Sequence, residues 1–376
     1  MTFHSQLFCD RVQPQILNIS PYIPGKPITE LQRELGLTRI SKLASNENPL
    51  GASPKVTEAI HNELKEIARY PDGSAYALKQ VLANFLRVKE AQLVIGNGSN
   101  ELLELAARVF AGPGDEIVYS QYGFAVYPIS AQVVGATGVE VPADGFGHDL
   151  QAMLGAITDK TKLVYIANPN NPTGTVFGRM EWEAFIEQVP QNVVVVLDEA
   201  YLEFCEDADY PNGLNYLDDY PNLLVSRTFS KAYGLASLRI GYMAGCEEII
   251  QYINQLRAPF NVNYYAQVAA IAAIEDQEFV QQAVEVNRKG MLQICSALDA
   301  LGLSYIPSAG NFVCVRFEDR CGGGQADLAA KVNHALLQQG VIVRPVANYG
   351  MAEYLRISIG TKEENTHLIE ALEAVL

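Results

Sequence analysis

The sequence predicts an α/β protein in which helices flank a mostly parallel central sheet. Its 376 residues, 49% of them hydrophobic, suffice for a large core and exceed one ordinary domain. From Ser53 onward, short apolar runs alternate with amphipathic stretches of helical length, which is typical of parallel strands joined by crossover helices. The run VVVVLD, which ends at Asp198, has apolar residues on both faces and therefore predicts a strand buried on both sides.

The predicted elements begin with an irregular N-terminal segment and continue with strands that alternate with helices. The segment to about Leu43 contains Pro14, Pro21, Pro24 and Pro27, which resist regular structure, so we expect an arm docked on another surface. Strands are predicted over residues 92–95, 116–120, 162–167, 192–198, 222–227 and 238–244. Helices over residues 247–256 and 277–301 then precede strands at 311–317 and 354–359 and a closing helix.

The change of pattern after Gly245 predicts a second, smaller α+β domain. We expect residues 1–43 to form the arm and part of that domain, residues 44–262 the large domain, and residues 263–376 the small C-terminal domain. Within the small domain, the segment CGGGQ at residues 321–325 predicts a flexible surface loop.

Charge and composition exclude several classes of partner. The net charge of −16 and the pI near 4.8 disfavour nucleic acid and anionic membranes, which a negative surface repels. The six cysteines contain no CxxC pair and the five histidines lie far apart, so no metal site is predicted. The first residues, MTFHSQLFCDRV, lack the pattern of a signal peptide. No apolar stretch approaches the roughly 20 residues of a membrane span, so we expect a cytoplasmic protein.

The segment SRTFSKAYGLASLRIGY, residues 226–242, places Lys231 in a turn that follows a predicted strand. A lysine there lies at the carboxyl edge of the sheet, where open α/β folds bind ligands. Its amine could form a Schiff base if a pocket desolvates it. A solvated loop lysine is the alternative, and it is the more common situation for any single lysine.

The segment VVVVLDEAYLEF predicts a carboxylate at the end of a buried strand, with a phenol three residues later. Asp198 needs a cationic partner at such a position, because an unpaired buried charge is unfavourable. A protonated pyridine nitrogen is one such partner, and Tyr201 could hydrogen-bond an oxygen on the same ring. A structural or magnesium-binding aspartate is the alternative interpretation.

Two further loops supply hydrogen-bond donors at the same sheet edge. In YIANPNNPTGTVF, Asn171 stands between prolines and could donate to a ring oxygen, although turn chemistry alone explains the composition. In LVIGNGSNELLELAARVF, Gly96 and Gly98 precede a helix whose N-terminal amides could bind a phosphate. Ser99 or Asn100 could equally serve as an ordinary N-cap. The sequence has neither a Walker A motif nor GxGxxG.

Together these segments supply a phosphate cradle, an acid for a ring nitrogen, two ring-oxygen donors and an amine, which is the set that pyridoxal 5′-phosphate (PLP) requires. The chain resembles the aspartate-aminotransferase-like, fold-type I family of PLP-dependent transferases over nearly its whole length. The motifs NPNNPTG, LDEAY, SRTFSKAYGLASLRIGY and YLRISIG stand in the family's order. The segments SPYIPGKPITEL, KLASNENPLGASP, RYPDGSAYALKQVLA and VIVRPVANYGMAEYLRISIG resemble the branch that acts on histidinol phosphate.

The resemblance implies that the large domain binds PLP and that three residues carry the chemistry. Lys231 would bind the cofactor covalently and move the substrate's proton, and Asp198 would pair with the ring nitrogen. Tyr201 and Asn171 would contact the ring oxygen. The phosphate would be held by Gly98, Ser99, Asn100, Ser230 and Arg239. Phe124 would stack over the ring, or else be an ordinary core phenylalanine.

The same resemblance implies a substrate site and a homodimer. Arg356 would bind the substrate's anionic group through its planar guanidinium. Further substrate contacts are expected from Arg344, Asn46, Tyr22 and Asn171. Tyr70 would reach the cofactor phosphate of the neighbouring subunit.

The implied reaction is transamination of L-histidinol phosphate with 2-oxoglutarate, giving imidazole-acetol phosphate and L-glutamate in histidine biosynthesis. An aromatic amino-acid aminotransferase and a threonine-phosphate decarboxylase of the same family remain alternatives, because few pocket residues decide the substrate. A PLP-binding regulator is disfavoured, since the chain lacks the length and basic charge of a DNA-binding module. A nucleotide-binding dehydrogenase would explain the sheet but not Lys231 or NPNNPTG.

Overall fold

A computed structural model describes residues 11–20, 25–318 and 328–376, which form a large mixed sheet, a smaller antiparallel sheet and the helices around them. Tyr22 and the predicted loop at residues 321–325 lie outside the described residues. The helices are α1 (Ile28–Leu35), α2 (Pro54–Asn62), α3 (Tyr76–Leu86), α4 (Ser99–Phe110), α5 (Val126–Val134), α6 (Leu150–Gly155), α7 (Arg179–Ile186), α8 (Glu247–Leu256), α9 (Tyr264–Ile274), α10 (Gln277–Ala300), α11 (Leu328–Gln338) and α12 (Lys362–Val375). Among these described helices, none combines the length and apolarity that crossing a bilayer requires.

Within the described residues the strands belong to three sheets. They are β1 (Ser41–Lys42), β2 (Leu93–Gly96), β3 (Glu116–Ser120), β4 (Thr137–Val141), β5 (Thr161–Ala167), β6 (Val194–Asp198), β7 (Leu223–Thr228), β8 (Gly241–Gly245), β9 (Tyr305–Ile306), β10 (Phe312–Arg316), β11 (Val341–Ile342), β12 (Arg344–Pro345) and β13 (Tyr354–Ser358). Strands β1, β9, β11 and β12 have only two residues each.

The large sheet has seven strands within the described ranges, in the order β2-β8-β7-β6-β5-β3-β4. Strand β8 runs antiparallel to β2 and β7, and the other neighbouring pairs are parallel. In β6, Val195 packs in one apolar cluster and Val196 in another, so both faces of the sheet are covered. This double burial explains the unbroken run of β-branched residues.

The carboxyl ends of the three central strands lie side by side. Ala167 of β5 pairs with Asp198 of β6, which pairs with Ser226 of β7. The loops that follow these strands therefore open onto one edge of the sheet, where open α/β folds bind ligands. This edge brings Asn171 and Lys231 close to Asp198.

The predicted central strands are confirmed to within two residues at each end, with one exception. The strand predicted from Leu238 begins at Gly241, because Leu238 ends a 3₁₀ turn and Arg239 has a left-handed backbone with φ of 56°. Strand β4 and helix α9 carry no clear periodic signal in the sequence. Strand β4 is largely exposed at the sheet edge, and α9 is apolar on all sides because it packs against α2 and α3.

Residues 25–43 contain regular structure, contrary to what their prolines predict, whereas the assignment of residues 1–43 to an arm and part of the small domain stays a prediction. Pro27 stands immediately before α1, where its missing N–H costs no helical hydrogen bond, and β1 then pairs in parallel with β11. Leu31 of α1 packs with Ala44 and Ile342. The N-terminal segment is therefore built into the C-terminal part of the fold.

The smaller sheet has the order β12-β13-β10-β9 and is antiparallel throughout. Helices α10 and α11 both pack on α12, and the apolar cluster beneath them includes Val313, Leu355 and Leu368 together with Leu43. The strands predicted at residues 311–317 and 354–359 are confirmed as β10 and β13. The division of the chain at residues 43/44 and 262/263 stays a prediction.

A buried ion pair ties β7 to the turn after β6. Arg227 Nε and Nη2 donate to Glu199 Oε2 at 2.8 and 2.7 Å, and both side chains are almost fully buried. Glu199 Oε1 accepts hydrogen bonds from the Gly213 backbone at 2.8 Å and from the Tyr210 hydroxyl at 3.2 Å. Because the pair sits in a low-dielectric site, loss of either member would leave the other charge unpaired.

We expect Arg227→Met to lower the free energy of unfolding by roughly 3–5 kcal/mol, since it keeps the apolar stem but strands the Glu199 carboxylate. Urea unfolding followed by the fluorescence of Trp182 measures the change. The exposed pair formed by Arg288 and Glu285 provides the control, and Arg288→Met should change stability little. Equal effects of the two substitutions would contradict this prediction.

Candidate active site

A cavity of about 490 Å³ lies at the carboxyl edge of the large sheet, between that sheet and the smaller one. We call it the central cavity. Twelve of the residues that the sequence singled out line it: Asn46, Ser99, Asn100, Phe124, Asn171, Asp198, Tyr201, Ser230, Lys231, Arg239, Arg344 and Arg356. Residues distant in sequence thus converge on a space large enough for a cofactor with a small substrate.

Lys231 stands in the bend that follows β7. Its Nζ donates a hydrogen bond to the backbone carbonyl of Ser45 at 3.1 Å and lies 5.7 Å from the centre of the Tyr201 ring. Burial and, to a smaller extent, the positive charge of Arg356 together lower the pKa of Lys231 to about 7. The amine is therefore largely uncharged just above neutral pH, which makes it a nucleophile and a base.

Asp198, the last residue of β6, is only 5% exposed. Its Oδ2 accepts a hydrogen bond from the Tyr127 hydroxyl at 3.0 Å. Its Oδ1 is buried and has no hydrogen-bond partner among the described residues. Burial raises the pKa of Asp198 to about 6. A protonated ring nitrogen at Oδ1 would supply the missing partner and reverse that rise.

Tyr201 and Asn171 lie on either side of this carboxylate's strand end. The Tyr201 hydroxyl accepts a hydrogen bond from Asn46 Nδ2 at 3.0 Å, and burial raises the pKa of Tyr201 to about 12. Asn171 Oδ1 accepts from Arg356 Nη1 at 2.5 Å, which leaves the amide NH₂ of Asn171 as a donor. Both side chains can therefore donate to an oxygen on a bound ring.

An anion cradle forms where α4 begins. Gly98 caps the helix with φ of 85°, and a Cβ built there would lie 2.5 Å from Arg239 Nη2. The guanidinium of Arg239 also donates to Ser230 Oγ at 3.4 Å. Helix α4 starts at Ser99, so its first backbone amides lie close to this arginine. Because Gly98 has no side chain, the guanidinium of Arg239 can approach the N-terminal end of α4. The positive charge and the helix amides then lie close together, which is the arrangement that a phosphate requires.

Arg344 and Arg356 occupy neighbouring strands at the opposite side of the central cavity, paired with each other in register. Arg356 Nη2 donates to the Ala44 carbonyl at 2.9 Å, and its Cζ lies 5.3 Å from the centre of the Phe312 ring. Arg356 Nε is buried without a hydrogen-bond partner among the described residues. Two buried guanidinium groups make this side of the cavity an anion site separate from the α4 cradle.

Phe124, Tyr70 and Tyr22 differ in where they lie relative to the central cavity. Phe124 lines the central cavity and packs edge-on against Tyr127 with 6.0 Å between ring centres. Tyr70 lies outside it, 83% exposed, and stacks on Phe260 at 4.8 Å. Tyr22 falls outside the described residues. The predicted contact of Tyr70 with a neighbouring subunit stays a prediction.

Tyr127 and Glu47 are among the lining residues of the central cavity that sequence reasoning did not single out. Tyr127 follows Phe124 at helical spacing. From the sequence alone, an aromatic residue at this spacing cannot be distinguished from an ordinary core residue. Glu47 lines the cavity mouth and pairs with Lys42 at 2.7 Å, but a carboxylate in a loop carries no signal of its own. Only the three-dimensional contacts reveal these two residues.

A desolvated lysine, an unpaired buried carboxylate and an anion cradle around one cavity are the arrangement of an enzyme that holds an anionic aromatic cofactor. The family model for aminotransferase class I and II matches residues 38–372. Histidinol-phosphate aminotransferase 2 of Hydrogenovibrio crunogenus is 62% identical over 371 residues, which cover 98% of this chain and 97% of that protein. The chain belongs to the class I and II aminotransferase family.

Solved structures agree with that family. Histidinol-phosphate aminotransferase from Sinorhizobium meliloti in complex with pyridoxal-5′-phosphate has a TM-score of 0.88 and 31% identity, covering 97% of both chains. A double mutant of Thermus thermophilus aspartate aminotransferase shares the fold with a TM-score of 0.82 and 23% identity, covering 97% of this chain and 99% of its own. The predicted fold type I architecture is thereby confirmed, and the protein is an aminotransferase.

Replacement of Asp198 by asparagine is expected to stabilise the cofactor-free protein near neutral pH. The native state holds the Asp198 proton more tightly than the unfolded state, because burial raises the pKa from 3.8 to about 6. The unfavourable native charge is therefore complete above pH 6 and absent below about pH 4. We expect Asp198→Asn to raise the free energy of unfolding by roughly 1–3 kcal/mol at about pH 8 and to change it little at about pH 4.

Urea unfolding of the stripped protein at both pH values measures this difference. The exposed Asp159 provides the control, since Asp159→Asn removes a charge that water already solvates. A stabilisation by Asp198→Asn that is the same at both pH values would show that the buried charge is not its cause.

Proposed function

We propose that this chain transaminates L-histidinol phosphate with 2-oxoglutarate, giving imidazole-acetol phosphate and L-glutamate, and that PLP is its cofactor. The observation that carries the proposal is the pair of anion sites in one cavity, with Lys231 and Asp198 between them. One anion site suits the cofactor phosphate and the other a substrate that carries an anionic group. The names of the relatives from Hydrogenovibrio crunogenus and Sinorhizobium meliloti support the substrate.

We assign PLP to the central cavity because each of its polar groups finds a suitable residue there. Its phosphate would occupy the cradle formed by Arg239, Ser230 and the first amides of α4. Its ring nitrogen would meet the unpartnered Oδ1 of Asp198. Tyr201 and Asn171 would bind the ring oxygen, and Phe124, which also lines the cavity, would contact the ring face.

Bound PLP supplies an electron sink that makes the hydrogen on the substrate's amine-bearing carbon acidic. Lys231 would hold the cofactor through its amine. The Lys231 amine, uncharged above about pH 7, would act as the base that accepts this hydrogen as a proton on Nζ. Asp198 would favour a protonated ring nitrogen, because a cation there would offset the unfavourable buried charge of the carboxylate.

The second half-reaction places 2-oxoglutarate in the same cavity. Arg356 would bind the phosphate of histidinol phosphate in one half-reaction and a carboxylate of 2-oxoglutarate or glutamate in the other. Arg344 lies on the neighbouring strand, and Asn46 is fixed near both by its bonds to Tyr201 and Ser358. Sequential use of one anion site by two substrates gives ping-pong kinetics.

We also propose a homodimer in which Tyr70 enters the central cavity of the partner subunit. The largely apolar side chains of Tyr70 and Ile67 are 83% and 76% exposed, and those of Leu64 and Phe260 are about half exposed. An exposed apolar group of this kind is typical of an interface.

An enzyme acting on these water-soluble metabolites is expected in the cytoplasm.

The substrate is tested by titrating the purified holoenzyme with histidinol phosphate, phenylalanine and threonine phosphate in parallel. We expect histidinol phosphate to discharge the absorbance band of the bound cofactor at concentrations at least roughly tenfold lower than either competitor, because it offers both an amine and a strong anion. Equal or better response to phenylalanine would move the assignment to the aromatic aminotransferases. Carbon dioxide released from threonine phosphate would favour the decarboxylase.

Arg356→Ala should reduce kcat/KM for both half-reactions by roughly 10²-fold, because a charge-assisted bidentate contact is lost with each substrate. Single-turnover measurements with histidinol phosphate and with 2-oxoglutarate separate the two half-reactions. Arg316→Ala is the matched control, since Arg316 lies on the adjacent strand β10 but pairs with Glu353 at the surface. Damage to only one half-reaction would disprove the shared use of Arg356.

A further inference from the structure

Tyr127 makes the one side-chain hydrogen bond that the described residues offer to the Asp198 carboxylate. Its hydroxyl donates to Oδ2 at 3.0 Å, and Tyr127 is fully buried. The other oxygen, Oδ1, is buried and unpartnered among the same residues. The two carboxylate oxygens are therefore not equivalent: one is committed to the fold, and one remains for a ligand.

The ring of Tyr127 is held rigidly in place. It stacks on Tyr165 with 4.7 Å between ring centres and an interplanar angle of 5°, and the Tyr165 hydroxyl donates to the Leu103 carbonyl at 2.6 Å. Leu103 belongs to α4, the helix whose first turn forms the phosphate cradle. On its other side, Tyr127 meets Phe124 edge-on. The hydroxyl of Tyr127 thus approaches Asp198 from a fixed position in the core.

We propose that Tyr127 is a positioning residue for the cofactor: its hydroxyl holds Oδ2 of Asp198 so that Oδ1 faces the ring nitrogen as an ionised acceptor. This inference rests on the proposed binding of PLP in the central cavity. Tyr127 does not touch the reacting atoms, and it acts through Asp198. A hydroxyl that donates to the carboxylate favours its charged form, which is the form that pairs with a protonated ring nitrogen.

The groups around Asp198 determine what a change at Tyr127 will do. Those that titrate or carry charge near the carboxylate are Tyr127, Tyr165, Glu199, Tyr201 and Lys231. Burial is the largest influence and raises the pKa of Asp198, while the hydrogen bond from Tyr127 is the largest opposing one. Removal of that hydroxyl should therefore raise the pKa of Asp198 above about 6 and protonate the carboxylate nearer neutral pH.

The test is the pH dependence of cofactor binding by the full chain after the cofactor has been removed. Pyridoxamine 5′-phosphate is the probe, because it cannot bond covalently to Lys231 and its own titrations are the same for every variant. Affinity for the wild-type protein should decline as the pH falls through about 6. In Tyr127→Phe we expect this decline to move upward by about one pH unit, which is the effect of one hydrogen bond to a charged group.

Tyr165→Phe is the matched control, since it also removes a buried hydroxyl from the stack but leaves the bond between Tyr127 and Asp198 intact. Its binding curve should keep the wild-type midpoint. An unshifted midpoint in Tyr127→Phe, or an equal shift in Tyr165→Phe, would overturn the proposal. A wild-type protein that fails to bind the probe at any pH would instead refute the proposed cofactor.

A second variant keeps the proposal testable if Tyr127→Phe does not fold. Replacement of Tyr127 by 3-fluorotyrosine preserves the ring stack and makes the hydroxyl a stronger donor, because fluorine increases its acidity. The midpoint of the binding curve should then move to lower pH, opposite to the shift in Tyr127→Phe. A midpoint that stays in place or moves upward would contradict the positioning role.

Discussion

The register of three parallel strands is the constraint on which the site depends. Because Ala167, Asp198 and Ser226 pair across β5, β6 and β7, the loops after these strands start from one line at the sheet's edge. Apolar clusters pack on both faces of these strands, so a slip of one residue would force the side chains of both clusters to repack. The positions of Asn171 and Lys231 follow from this alignment. The turn before the antiparallel strand β8 places Arg239 beside Gly98, at the start of α4.

Desolvation shifts the pKa values of the two central ionisable groups in opposite directions. It favours the neutral amine of Lys231 and the neutral acid of Asp198, so both pKa values move toward the middle of the pH scale. A bound cation at Asp198 reverses one of these shifts, whereas the amine keeps the form that its role as a base requires. The chain as a whole carries a net charge of −16, yet Arg239, Arg344 and Arg356 meet in this cavity. Local placement of arginine, rather than overall charge, therefore makes the site suitable for anions.

Most of the fold and many of the candidate site positions could be predicted from the sequence, for reasons that differ from residue to residue. Asp198 ends the apolar strand β6, and Lys231 lies three residues after the end of β7. The apolar pattern of these strands predicts where they end and therefore where the two residues lie. Tyr127 could not be assigned in this way, because its value lies in a hydrogen bond to a residue 71 positions away. The prolines before helix α1 hid that helix from sequence reasoning, and the left-handed backbone of Arg239, which sets the start of β8, has no sequence signal.

The pairing of β1 with β11 also determines when the site can exist. Ser41 pairs with Val341, Asn46 is fixed by Ser358, and the Ser45 carbonyl that receives the Lys231 amine lies between these two attachments. Contacts of such long sequence separation form only after almost the whole chain has left the ribosome. Until then the lysine lacks the enclosure that lowers its pKa and remains an ordinary ammonium group. The uncharged, nucleophilic amine of Lys231 is thus a property of the fully folded polypeptide. During synthesis the nascent chain does not carry it.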